Sequence, residues 1–164
     1  MKRVFVLSLF FSLFIASTAY AYGESEGQIP SWGERVVHLL ANEARVDPVS
    51  TLKDCTVCAE KACYTKPSRP LLWSHELAKA ARFHSANLAS AGCFDHNSPC
   101  QLKPDISSLY PDSCDGATSC ACDGAVKCNA GTGTFDRIRM FFSAGGRAEN
   151  IAIGADDPVT LHKL

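Results

Sequence analysis

Leu77, Ala80, Ala81, His84, Leu88 and Ala91 recur at intervals of three and four, which predicts an amphipathic helix with a single apolar stripe. Ser74 is placed to cap its first turn, and Gly92 follows the last periodic residue, where a left-handed C-cap favours glycine. Lys79, Arg82 and Ser90 fall on other faces. The chain then turns through Cys93, Phe94 and Asp95 and delivers His96 just beyond the helix end. A second helix is predicted from Trp32 to Arg45, where Trp32, Val36, Leu39, Leu40 and Ala44 share a face. Phe135 to Ser143 reads as a short buried helix with Thr134 as its cap, ended by Gly145 and Gly146. Asp157 followed by Pro158 announces a further helix, with Val159, Leu161 and Leu164 on its apolar side.

Between these elements the periodicity disappears. Residues 54–69 and 97–134 are rich in cysteine, proline and Asp-Gly turns, and they read as two irregular insertions with little room for helix or strand. The second has too few apolar side chains for a core of its own, so covalent staples are expected to hold it. Each closed loop adds about 2–4 kcal/mol, mostly by restricting the unfolded chain. No EF-hand order of acidic residues accompanies the Asp-Gly pairs, which makes turn chemistry the better reading than calcium.

Composition then sets the compartment. Met1 to Ala21 carries a basic start (Lys2, Arg3), an apolar run from Val4 to Ile15 and a small-x-small site at Ala19-Tyr20-Ala21, the pattern of a cleaved signal peptide. The run is shorter than the roughly 20 residues a membrane span needs. Residues 22–31 form a polar N-terminal arm, and one domain occupies the remainder, residues 32–164. Removing Lys2 and Arg3 takes the formal charge from −1 to −3, and no basic run invites nucleic acid. Secreted, extracellular or periplasmic placement follows, and the nine cysteines at 55, 58, 63, 93, 100, 114, 120, 122 and 128 read first as disulfides. Nine is odd, so at least one thiol lacks a partner within the chain. Cys55-x2-Cys58 could also be half a zinc site or a redox pair, though no second Cys-x2-Cys completes a ribbon.

Three motifs carry a family resemblance. The Leu-x-Trp approach, alanine-rich helix and aromatic-x-His-x-Ser exit at residues 71–98 come first. Asn42-x-x-Arg45 on the preceding helix is the second, and Glu149-Asn150-Ile151-Ala152 the third. Together they resemble the bacterial branch of the CAP superfamily (cysteine-rich secretory proteins, antigen 5 and pathogenesis-related proteins). The resemblance implies an α+β fold, an α–β–α sandwich around a small antiparallel sheet, spanning about residues 32–164. It also implies a cleft in which two histidines and two acids meet and where some members hold a divalent cation such as zinc. His96 and Glu149 match the first histidine and one acid, while the second acid and second histidine have no counterpart before Leu164. The expectation is therefore an incomplete domain, marginal alone, from a fragment or truncated reading frame. In function the resemblance implies a non-catalytic extracellular binding protein for a lipid, sterol or cell-surface ligand. The rivals are a hydrolase using His96 and Glu149, and a disulfide-stapled interaction module.

Bland readings compete at several positions. His84 lies on the apolar stripe and reads as a core histidine bonded to backbone. Asn42 and Arg45 alone read as a solvated helix end, Arg45 favoured by the helix dipole. His75-Glu76 lacks the second histidine of a metallopeptidase motif, since Lys79 stands there. Cys93, three residues before His96, reads as half of a disulfide rather than a nucleophile.

Overall fold

The computed structural model describes residues 28–55, 61–143, 145 and 148–162. Residues Met1–Ala21, read above as a signal peptide, most of the arm, Cys58 and Leu164 lie outside the described residues. Helix α1 spans Trp32–Val46, and a capping box starts it: Ser31 Oγ accepts from Glu34 N at 3.2 Å while Glu34 Oε2 accepts from Ser31 N at 2.6 Å. Asp47 closes α1 and caps the short α2, Pro48–Thr51. A single 3-10 turn, Lys61–Cys63, follows. Helix α3, His75–Ala91, begins and ends where the sequence predicts. Ser74 accepts from Leu77 N at 3.2 Å, and Gly92 takes the left-handed conformation at φ 64°. Two one-turn helices, α4 (Ile106–Leu109) and α5 (Thr118–Ala121), lie within the cysteine-rich region. Helix α6 is Thr134–Phe141, and α7 is Pro158–His162, its first turn capped by Asp157 Oδ1 at 3.0 and 2.9 Å.

The described residues are thus mostly helical. An isolated antiparallel bridge joins Leu102 with Cys122. Residues 98–103 accept and donate along both sides, with Ser98 N to Thr132 O, Thr132 N to Cys100 O, Asp123 N to Gln101 O and Lys103 N to Ala121 O. Pro99 and Pro104 supply no N–H, so this pairing does not extend into a ladder.

The core sits where the sequence reading placed none. Phe83 of α3 packs with Cys100, Leu102, Ile106, Cys114 and Ala121, and Tyr110, Met140 and Phe141 cover the cluster. The expectation of a region too poor in apolar side chains is corrected here: half-cystines are themselves compact buried hydrophobes. The Cys100–Cys122 and Cys114–Cys120 disulfides are both in the cluster, and Cys93–Cys128 ties the α3 exit to the same body. The buried face of α3 is Ala80, Phe83, His84, Asn87 and Leu88. Leu77 and Ala81, assigned to that face from spacing, lie instead on a more exposed side. Gly131 crosses against the Cys100 backbone so closely that a Cβ would stand 2.1 Å from its carbonyl oxygen.

Helix α1 has no buried residue and joins this body through polar clamps. Arg82 pairs with Glu34 through Nε and Nη2 at 2.5 and 2.7 Å. Asn42 accepts from Leu71 N at 2.7 Å and donates to Leu71 O at 3.1 Å, and Arg45 Nε donates to Arg69 O at 2.9 Å. The reading of Asn42 and Arg45 as a solvated helix end is therefore corrected. They hold residues 68–71 along α1, because an unpaired extended segment presents the donors and acceptors that an amide and a guanidinium satisfy.

Candidate functional site

His96 stands beyond the C-cap of α3 on a turn held from several directions. Asp95 Oδ1 accepts from Asn97 N at 2.8 Å, and the Asp95 carbonyl accepts from His84 Nε2 at 3.1 Å. The His96 carbonyl is gripped from α6, accepting from Thr134 Oγ1 at 2.9 Å and from Arg137 Nη1 at 2.8 Å. Thr134 was expected to cap α6. It is the first helical residue instead, behind Gly133, and its hydroxyl turns to His96.

Glu149 reaches the same place from the segment after α6. Its Oε1 lies 3.1 Å from His96 Nδ1, and its Oε2 is bonded to Arg137 Nη2. The structure thus brings together His96 and Glu149, 53 residues apart. A carboxylate only accepts, so Nδ1 of a neutral His96 carries the proton and Nε2 presents its lone pair outward. The imidazole is 54 % exposed and the carboxylate 14 %. Asn150 lies next to it on the wall of a cleft of about 370 Å³, lined also by His84, Leu88, Phe94, Ile151 and Leu161.

Arg137 is the residue that sequence reasoning missed. It is fully buried on α6, and burial pulls its guanidinium below the ordinary arginine range while Glu149 opposes the shift. Ser98 Oγ, 3.4 Å away, adds a weak third partner, and Nε has none among the described residues. Nothing in the Phe135–Ser143 pattern distinguishes this arginine from a solvated one. His84 behaves as expected of a core histidine. Its pKa is held at about 4 by burial first, then by Arg137 and His96, against the pull of Glu149 and the Asp95 carbonyl. It is therefore neutral at physiological pH, with Nε2 protonated.

The divalent cation implied by the resemblance finds no matching donor set among the described residues. Both Glu149 oxygens are engaged and His96 Nδ1 faces one of them, leaving His96 Nε2 as the free donor of the pair. A zinc site needs three or four protein ligands. Cys114, Asp115 and Cys120 also converge, but the two cysteines are joined to each other and offer no thiolates. Cys93 is likewise paired, with Cys128, and so offers no thiol nucleophile to His96. Cys55 is disulfide-bonded, and Cys63 is a free, exposed thiol. His75 and Glu76 lie at the start of α3 and His38 meets Trp73 edge-to-face at 5.6 Å, so neither region gathers ligands.

A larger groove of about 660 Å³ runs between α1, residues 71–74, α3 and α7. Val37, Ala41, Leu72, Trp73, Leu77 and Leu161 form its walls, with Glu34, His38, Asp156 and Asp157 as its polar groups. Leu72 is 92 % exposed. Leu161 of α7 and Ala81 of α3 border both this groove and the Glu149 cleft.

No family model matches the chain, and neither does any curated protein or solved structure. Among the described residues no helix is long and apolar enough to cross a membrane.

Proposed function

We propose that the chain is an exported, disulfide-stapled binding protein of the CAP type, whose α–β–α sandwich is represented here by its helical part. The groove between α1, α3 and α7 receives a neutral apolar ligand of sterol or acylglycerol character. The groove itself carries this reading. Its volume of about 660 Å³ lies within the range of small-molecule sites, and its walls are aliphatic and aromatic with few polar groups. With Glu34 already paired with Arg82, Asp156 and Asp157 place acidic groups beside it, which disfavours a fatty-acid carboxylate and favours a neutral headgroup. The disulfides support export. The meeting of His96 with Glu149, and the clamp made by Asn42 and Arg45, supports the CAP assignment.

The test is fluorescence titration of the mature chain with a fluorescent sterol and, as comparator, a fluorescent fatty acid. Saturable sterol binding, weaker for the acid, is expected. Ala78→Trp, which fills the groove from α3, should abolish it, while His96→Ala should leave it intact. Equal binding by the Ala78→Trp variant, or no saturable binding at all, refutes the reading.

One observation favours a second reading, hydrolysis. The His96 imidazole is exposed, its Nδ1 is backed by a carboxylate, and its Nε2 is free to take a proton from water. An esterase screen in which His96→Ala removes all turnover, with sterol binding unchanged, would establish it.

A further inference from the structure

We propose that Arg137 is the resident counter-cation of the His96–Glu149 pair, a positioning residue that locks His96 in its Nδ1-protonated form and closes the pair to divalent cations. The proposal goes beyond the groove reading and stands whether or not the groove binds a ligand.

The argument is one of donors and charge. Glu149 has two oxygens, and each is committed: Oε1 to His96 Nδ1 and Oε2 to Arg137 Nη2. Each oxygen keeps a second lone pair, but a metal placed there sits directly against the guanidinium or the imidazole N–H on that oxygen, so ligation displaces one of them. Releasing Arg137 strands a guanidinium that is fully buried and whose remaining partners, the His96 carbonyl and the Ser98 hydroxyl, are neutral. Releasing His96 instead places the incoming dication on a carboxylate whose other oxygen already holds a cation, in a poorly solvated setting where repulsion is weakly screened. Both routes are uphill, so the carboxylate stays an acceptor for its two protein donors.

The same bonds determine what His96 offers. Arg137 holds both ends of the arrangement, the Glu149 side chain through Nη2 and the His96 backbone carbonyl through Nη1. One rigid guanidinium thereby sets the distance and angle between ring and carboxylate. With Nδ1–H directed at Glu149, Nε2 is a bare, solvent-facing lone pair. The species it recognises is a hydrogen-bond donor, a water or an alcohol hydroxyl, rather than an anion; a metal would find a single protein ligand there, too few to hold it.

The test is two-bond proton–nitrogen NMR of the imidazoles in the ¹⁵N-labelled mature chain near pH 7.5, without and with zinc. Wild type is expected to show His96 protonated at Nδ1, with its resonances unmoved by stoichiometric zinc. Reading the titration at His96 keeps zinc bound elsewhere out of the result. Arg137→Met should loosen the tautomer and let excess zinc perturb His96 where wild type stays unmoved, a loose contact because two protein ligands fall short of a full site. Arg137 is buried, so a second variant guards against misfolding. In Glu149→Gln the amide oxygen stays on Arg137 and the NH2 turns to His96, which should switch His96 to the Nε2-protonated tautomer. Four results would each overturn the proposal: zinc binding at His96 in wild type, an Nε2-protonated wild-type His96, an unchanged tautomer in Glu149→Gln, or a folded Arg137→Met whose His96 tautomer matches wild type. A merely structural arginine would move none of these signals.

Discussion

Acidification from pH 7.5 to 4.5 should destabilise this protein through His84, by an amount the structure sets. The ring is 3 % exposed, its Nε2 donates to the Asp95 carbonyl at 3.1 Å, and Nδ1 has no partner among the described residues. Burial foremost, then the nearby Arg137 and His96, lowers its folded pKa from 6.5 to about 4. Above pH 6.5 both folded and unfolded chains hold a neutral ring and His84 costs nothing. As the pH falls through 6.5 the unfolded chain takes up a proton that the folded chain refuses until about pH 4. Stability therefore declines across that window, at up to about 1.4 kcal/mol per pH unit, reaching about 2–3 kcal/mol at pH 4.5.

The window separates His84 from the carboxylates with displaced pKa values. Burial pushes the Glu34 carboxyl up, but Arg82 and the Ser31 amide outweigh it and hold the group below its ordinary 4.5. Glu76, bonded to its own backbone N–H and to Ser74, is also lowered. Their contributions begin to fall only near pH 4.5, at the acid end of the window, and are lost below it. Urea unfolding at pH 7.5, 6.5, 5.5 and 4.5, for wild type and His84→Gln, measures the effect. The glutamine can still donate to Asp95 and does not titrate, so its stability should be nearly flat where wild type falls. An equal fall in both proteins, or a flat wild type, would refute the assignment.

Three further outcomes follow from the packing. Gly131→Ala should cost about 3 kcal/mol by overpacking, because its new Cβ would meet the Cys100 N, C and O atoms at 2.1–2.3 Å, and backbone cannot swing aside; thermal denaturation reads it directly. Replacing Cys100 and Cys122 together by alanine opens a loop closed across 22 residues and should lower stability by about 3 kcal/mol in denaturant titrations. Asn42→Ala removes both bonds to the Leu71 backbone, for about 1–2 kcal/mol. It should also weaken sterol binding, because Leu71, Leu72 and Trp73 line the groove.

The helices were legible because their signals are local. Ser74, Gly92, Asp157 and Pro158 act on the backbone within one turn of themselves, and each does what its chemistry dictates. The core was not legible, because it is built from residues 98–122, whose proline and half-cystine content carries no period. The α3 stripe was half legible: its spacing admits two adjacent faces, and only the packing of Phe83 and Asn87 reveals which is buried. The pairing of His96 with Glu149 was expected from motif resemblance, but the residue that holds both left no trace. A buried arginine and a solvated one look alike in a Thr-Phe-Asp-Arg helix start, since the difference lies in partners 12 and 41 residues distant.

This unequal legibility follows a physical division in the molecule. The His96–Glu149 pair is seated on the cross-linked body: α3, α6 and the Cys93–Cys128 staple hold His96, and Arg137 spans from α6 to both partners. The groove is walled on one side by that body and on the other by α1 and α7, of which α1 buries no residue and is attached by side-chain clamps. Elements held by few apolar contacts open at lower free energy than the core they rest on. Reduction of the disulfides should therefore disorder the His96 site and the core together. Breaking the α1 clamps, by contrast, should release ligand while His96 keeps its tautomer. If both perturbations moved both readouts equally, the two sites would belong to one cooperative unit and the division would fail.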